Sequence, residues 1–192
     1  LKFKEEVFMR KFVFSILTIF LAFLAFSNIV SADTNDFYNL LDGDNVAILN
    51  ELDSVTEFNE EGLPVVNLEQ AYNVGLSDEA IEVALNLNAI VRDIETNGES
   101  SAIASMERAL FPIGDYGNYC GKGNNGWNKQ PIDDLDAACR EHDKCFKGFT
   151  KDNRACNQAF LRRLAPIMQK NNVTSKKGGY ASAAFYLFSK FV

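Results

Sequence analysis

The stretch LDAACREHDKCF, residues 135–146, holds the only histidine of the 192-residue chain. This residue, His142, stands beside Asp143 and between Cys139 and Cys145, each three positions away. An imidazole that titrates near neutrality can accept a proton, bind a metal or sit neutral in a core. Just upstream, YGNYCGKGNNG at 116–126 has four glycines in eleven residues. Backbone of that kind can turn several carbonyls toward one point, and carbonyl and carboxylate oxygens are the ligands of hard cations such as calcium. If Cys120 is bonded to Cys139, the loop is fastened one helical turn before His142. Loop, Asp143 and His142 then form one site, in which an uncharged ring works beside a bound cation.

The same residues allow other chemistries. Cys139, His142, Cys145 and Cys156 have zinc-ligating side chains, but helical positions i, i+3 and i+6 spread over roughly 120° of the surface. A Cys3His zinc site would also leave Cys120 as an odd thiol. Cys/His nucleophilic catalysis fails if the thiols are consumed in disulfides. A phosphate loop is weaker still as a reading, because no Gly-Lys-Ser/Thr follows the glycines. A lone inward histidine is most often a satisfied core residue; Asp143, about 100° further round the helix, sets this one apart.

These residues need two helices to position them. Leu135, Ala138, Cys139, Cys145, Phe146 and Phe149 recur with a 3.6-residue period from Asp133 onward, and His142 falls on the same stripe, so the ring faces inward. Pro131 suits a first turn, while Asp133 and Asp134 suit the positive end of the helix dipole. A second helix from about Asn153 to Met168 places Cys156, Ala159, Phe160, Leu164 and Ile167 on one side. The short turn between them predicts antiparallel packing, which can bring Cys145 near Cys156. The four cysteines all lie in the last 73 residues and predict two disulfides in an oxidising compartment, with three pairings open.

Export is expected from MRKFVFSILTIFLAFLAFSNIVSA, residues 9–32, which has a basic start, an apolar run and small residues before Ala32. It reads as a secretory signal peptide cleaved after Ala32, with an uncleaved anchor helix as the alternative. The remainder divides by charge. Residues 33–110 carry 17 acidic and 2 basic side chains, residues 111–192 carry 7 and 13. The expected organisation is therefore 1–32 signal peptide, 33–110 acidic helical pro-segment or accessory region, and 111–192 catalytic domain.

In the acidic half, Ser77 caps a predicted helix that stops at Asn97 and Gly98, with Ile81, Ala84, Leu85, Asn88 and Val91 on one face. A shorter helix is expected over about Ser101–Leu110. LPVV can be extended, Gly43 is expected to interrupt any helix, and DGDN reads as a turn. The acidic run reads as a solvated face or, alternatively, as a pro-segment that opposite fields would draw over the basic half, where it could mask a binding surface. The terminal stripe of Tyr180, Ala184, Leu187, Phe188 and Phe191 is helical and reads as core, with membrane contact as the alternative. The expected fold class is mainly α: two antiparallel disulfide-linked helices with a glycine-rich calcium loop, preceded by a helical acidic segment.

YGNYCGKGN at 116–124 resembles the calcium loop of the secreted phospholipase A2 family, and DAACREHDKC at 136–145 resembles its active-site helix, usually Asp-x-Cys-Cys-x-x-His-Asp-x-Cys. The resemblance covers about residues 116–164. It implies calcium-dependent hydrolysis of the sn-2 ester of phospholipids, with His142 as general base and Asn157 at the position of the residue that orients it. It further implies Asp143 and the carbonyls of Tyr119, Gly121 and Gly123 as calcium ligands, and the Gly121 amide as an oxyanion donor. The implied disulfides are Cys120–Cys139 and Cys145–Cys156.

Some positions depart from the family pattern. Ala138 and Asn118 replace two cysteines, so this is similar to a short bacterial, plant or viral form with two disulfides. Asn124 replaces a glycine, Phe146 a tyrosine, and Asn157 an aspartate. An amide brings no charge to the imidazolium, so stabilisation is expected to be weaker. A non-catalytic lipid-binding or toxin-like module is the alternative function. The expected partner is a phospholipid membrane surface, to which the basic half is suited, and not nucleic acid.

Overall fold

The computed structural model describes residues 35–95, 116–121 and 126–192. The expected signal peptide, the short helix at 101–110 and Gly123 lie outside the described residues. Within Asp36–Val192, which forms one compact unit, the architecture is mainly helical, as expected.

After a single turn at Asn35–Tyr38, helix α1 runs Gly43–Asp53. Gly43 opens this helix where the sequence predicted an interruption. Asp42 has extended backbone and its side chain accepts from Asn45 N at 2.9 Å, so DGDN is a capped helix start. A small antiparallel ribbon follows, with β1 (Thr56–Phe58) paired to β2 (Pro64–Val66) and Thr56 opposite Val66. LPVV is thus extended. Helix α2 (Leu68–Val74) leads to the longer α3 (Asp78–Glu95).

Ser77 caps α3, its hydroxyl accepting from Ala80 N. The expected stripe is only part of what α3 buries. Val83, Leu87 and Ile90 are buried as well, because α3 is packed against both β2 and the C-terminal helix. Asn88, predicted to face the core, instead clamps β2: its side chain accepts from Val66 N and donates to Val66 O, both at 2.8 Å.

The second half contributes α4 (Asp134–Asp143), α5 (Arg154–Lys170) and α6 (Lys176–Ser189). Helix α4 packs on α5, and α5 on α6. Cys120–Cys139 and Cys145–Cys156 are disulfides, closing spans of 19 and 11 residues. Each contributes roughly 2–4 kcal/mol, largely by restricting the unfolded chain.

Helix α6 is buried almost all round, which marks it as the central helix. Small residues at its start permit that position: a Cβ on Gly178 would strike the carbonyl of Asn172. Tyr186 donates from its hydroxyl to Asp53 at 2.8 Å, tying α6 to the end of α1. The described parts of the acidic and basic halves therefore share one core. Among the described residues, no helix is long and apolar enough to cross a membrane.

Candidate active site

The start of α4 anchors the glycine-rich loop. Asp133 caps the helix by accepting from Asp136 N at 3.0 Å, and it also takes the hydroxyl of Tyr116 and the ammonium of Lys177. Burial and the acceptor Asp133 push the Tyr116 phenol up to about 12. One turn further on, Asp136 is fully buried. Its carboxylate accepts the main-chain N–H groups of Asn118 (2.9 Å), Tyr119 (2.8 Å) and Ile132 (2.9 Å). Gly117 takes φ +66°, and a Cβ there would run into the Asp136 carboxylate. This is the position in the loop where only glycine lets the backbone approach.

The loop is closed further by main-chain bonds between Tyr116 and Cys120, and by the Cys120–Cys139 bridge to α4. Tyr119 is buried, and its hydroxyl donates to the carbonyl of Lys129 at 2.6 Å. Sequence reasoning missed Asp136 as the residue that holds this loop. The signal was present as the first aspartate of the 136–145 motif.

His142 is 6% exposed. Its ring stacks on Phe160 and Phe146, with centroids 4.3 and 4.9 Å away, and meets Phe188 edge-on at 4.6 Å. Its Nε2 lies 2.9 Å from Oδ1 of the buried Asn157. Burial lowers the imidazole pKa, and the hydrogen bond to Asn157 offsets part of that effect. Phe146 and Phe149 reach this cluster by a different route from the one predicted. Helix α4 ends at Asp143; beyond it the chain sets Phe146 on the His142 ring and, past Gly148 at φ +96°, returns Phe149 onto Phe146.

Asp143 is half-buried, and among the described residues its carboxylate has no hydrogen-bond or ion-pair partner. Burial first, and the nearby Asp136 second, raise its pKa to about 6. A carboxylate in that state is stabilised by a cation.

His142, Asp143, Tyr119 and Gly121 line one pocket of about 350 Å³. That is within the roughly 300–1,000 Å³ of small-molecule sites. The remaining walls are largely apolar, and Ile90 and Ile94 of α3 form part of them. No sequence signal singled out these two isoleucines, because a lining residue and a core residue have the same helical spacing. Gly123 lies outside the described residues. The sulfurs are all in disulfides, which removes the zinc and thiol-nucleophile readings. Among the described residues no cluster of three or more His, Cys, Asp and Glu side chains is disposed for a metal, so a cation here would depend on main-chain oxygens.

Residues 99–185 match the family model described as phospholipase A2. Over 78 residues the chain is 35% identical to basic phospholipase A2 DE-1 of Hemachatus haemachatus, covering 41% of this chain and 61% of that protein. It is 33% identical over 81 residues to basic phospholipase A2 of Micrurus corallinus, covering 42% and 53%. A plant relative, phospholipase A2-beta of Arabidopsis thaliana, is 36% identical over 75 residues, covering 37% and 50%. The chain thus spans between 50% and 61% of the length of these relatives. No solved structure matches it.

Proposed function

Residues 99–185 are a phospholipase A2 family segment, and from that premise we propose that the chain is a calcium-dependent enzyme. It hydrolyses the sn-2 ester of phospholipids to a fatty acid and a lysophospholipid. One observation carries this reading: His142, hydrogen-bonded to Asn157, lines the same pocket as the loop residue Gly121 and as Asp143, whose carboxylate has no partner among the described residues.

In this reading His142 takes a proton from a water molecule as that water attacks the ester carbonyl, and returns it to the sn-2 oxygen of the leaving lysophospholipid as the bond from the carbonyl carbon to that oxygen breaks. Help of this kind is worth about 10²–10⁴ in rate. Burial keeps the ring neutral and able to accept. Water is the nucleophile, so no acyl-enzyme forms. The Gly121 N–H acts as a donor to the new oxyanion, and the apolar walls receive an acyl chain.

Asp143 and the carbonyls of Tyr119, Gly121 and Gly123 are the proposed holders of Ca²⁺. The donor set fits: all donors are oxygens, and the one carboxylate has no other partner among the described residues. The bound ion would supply Lewis-acid stabilisation of the carbonyl oxygen, worth several kcal/mol. With a single carboxylate the dissociation constant is expected on the order of 10⁻⁴–10⁻³ M, as in extracellular modules.

Secretion rests on the signal-like stretch at 9–32. Docking to a lipid surface is supported by the exposed Trp127 and Ile132, with Lys129 between them in the chain and the net positive charge of residues 111–192. A second reading, a non-catalytic lipid-binding module, draws on Asn157 and Phe146, which bring neither a charge nor a hydroxyl to His142.

The deciding experiment is fatty-acid release from anionic and zwitterionic vesicles, with and without chelator. Release that needs calcium, favours anionic vesicles and disappears in His142→Gln is expected. Calcium-dependent vesicle binding without release would favour the second reading.

A further inference from the structure

The structure explains why an amide, and not a carboxylate, can stand beside His142. Asn157 is 1% exposed and makes two side-chain contacts. Its Oδ1 faces His142 Nε2 at 2.9 Å, and its Nδ2 donates to the main-chain carbonyl of Phe191, also at 2.9 Å. Phe191 follows the end of α6, where its N–H bonds to the carbonyl of Phe188 and its ring packs edge-on against Phe149.

We propose that the carbonyl of Phe191 is a positioning group for His142: by fixing which way round the Asn157 amide sits, it fixes which imidazole nitrogen carries the proton. The inference rests on the proposed base role of His142 for its functional meaning, but not for its test.

A carbonyl oxygen can only accept, so Asn157 must turn its NH₂ toward Phe191. That leaves the amide oxygen for His142. This oxygen also can only accept, so Nε2 carries the hydrogen and Nδ1 keeps the lone pair. The reversed amide would set its oxygen against the Phe191 carbonyl, two buried acceptors with no proton between them. It would also present N–H to Nε2, driving the proton to Nδ1 and abolishing the base. A carboxylate at 157 would meet the same carbonyl with no hydrogen to share. The amide at 157 therefore belongs with the tail that receives it, and the pair maintains the tautomer that a carboxylate maintains elsewhere.

The test uses the fact that His142 is the only histidine. With ¹⁵N-histidine labelling, long-range proton–nitrogen correlation reports a single imidazole, and Nε2 is distinguished because it couples to both ring carbon-bound protons. The full chain, measured above the imidazole transition, is expected to show Nε2 protonated and Nδ1 bare. Deleting Phe191 and Val192 is expected to produce a mixture of tautomers, with hydrolysis reduced. A wrong tautomer has cost up to ~10⁴ in kcat in a protease triad. Unchanged Nε2 protonation in the deleted chain overturns the proposal.

Should that deletion fail to fold, Asn157→Asp in the full chain carries the test. Lower thermal stability and slower hydrolysis than the parent are expected. Equal or higher values of both overturn the proposal. Because the tautomer is read without substrate, a chain that hydrolyses nothing but shows the expected nitrogen pattern would sink the enzymatic reading and leave this one standing.

Discussion

Oδ1 of Asp136 lies 2.8 Å from the amide nitrogen of Tyr119, so a fully buried carboxylate on α4 holds the loop that contributes Tyr119 and Gly121 to the pocket. The same carboxylate receives Asn118 and Ile132. Hydrogen bonds to a charged acceptor contribute about 1.5–3 kcal/mol each. Asp136→Asn keeps the shape but turns one acceptor into a donor facing an N–H. The expected result is a stability loss of about 3 kcal/mol together with weaker calcium binding. Denaturant unfolding measures the first. Fluorescence of Trp127, the only tryptophan, whose ring is 6.0 Å from that of Tyr119, follows the second.

The pH response should separate two neighbours that are shifted in opposite senses. Burial holds His142 neutral to lower pH than a free imidazole, which favours a base in mild acid. Burial and Asp136 raise Asp143 to about 6, so protons compete with a cation just below that pH. The acid limb of hydrolysis is therefore expected to move to lower pH as calcium is raised. A limb set by His142 alone would stay where it is. Without calcium the sign for stability also follows. Between the ordinary aspartate range and about 6, the folded chain holds on Asp143 a proton that the unfolded chain has lost, so the contribution of Asp143 to stability falls as pH rises through that window, while the lowered His142 contributes the opposite slope. Calcium-free thermal melts from pH 4 to pH 7, of the parent against Asp143→Asn, check this by the difference between the two.

How much of this was legible in the sequence depended on whether a residue's neighbours were close along the chain. The inward turn of His142 and the hairpin that unites Cys145 with Cys156 follow from helical period and a short connection, and both are present. Gly43 was misread because a glycine before a polar run marks a helix start as readily as a break, and the deciding signal was the side chain of Asp42. The periodicity that runs on to Phe149 continued past the true helix end, since side chains in a loop can satisfy the same core. Ile90, Ile94 and the carbonyl of Phe191 were out of reach. Their roles arise from α3 and the end of α6 meeting α4 and α5 in space, and no local pattern encodes that meeting.

The acidic half can be a cover for the site or one of its walls, and the two predict opposite outcomes when it is removed. Helix α3 buries Val83, Leu87, Ile90 and Val91, and each such side chain contributes about 1.5–3 kcal/mol. Together they rival the whole stability of a domain, about 5–15 kcal/mol. A chain beginning at Phe111 would expose the face of α6 on which α3 packs. It is expected to lose cooperative unfolding by circular dichroism and to hydrolyse poorly, whereas a removable cover would leave a folded and faster enzyme. Ile94→Ala asks the same question with the fold intact, because Ile94 is only partly buried and lines the pocket. For a wall, the expected result is a KM about 5- to 10-fold higher for long acyl chains, with little change for short ones, in line with roughly 1–3 kcal/mol for lost apolar contact. A cover weakened at Ile94 would instead raise the rate for every chain length.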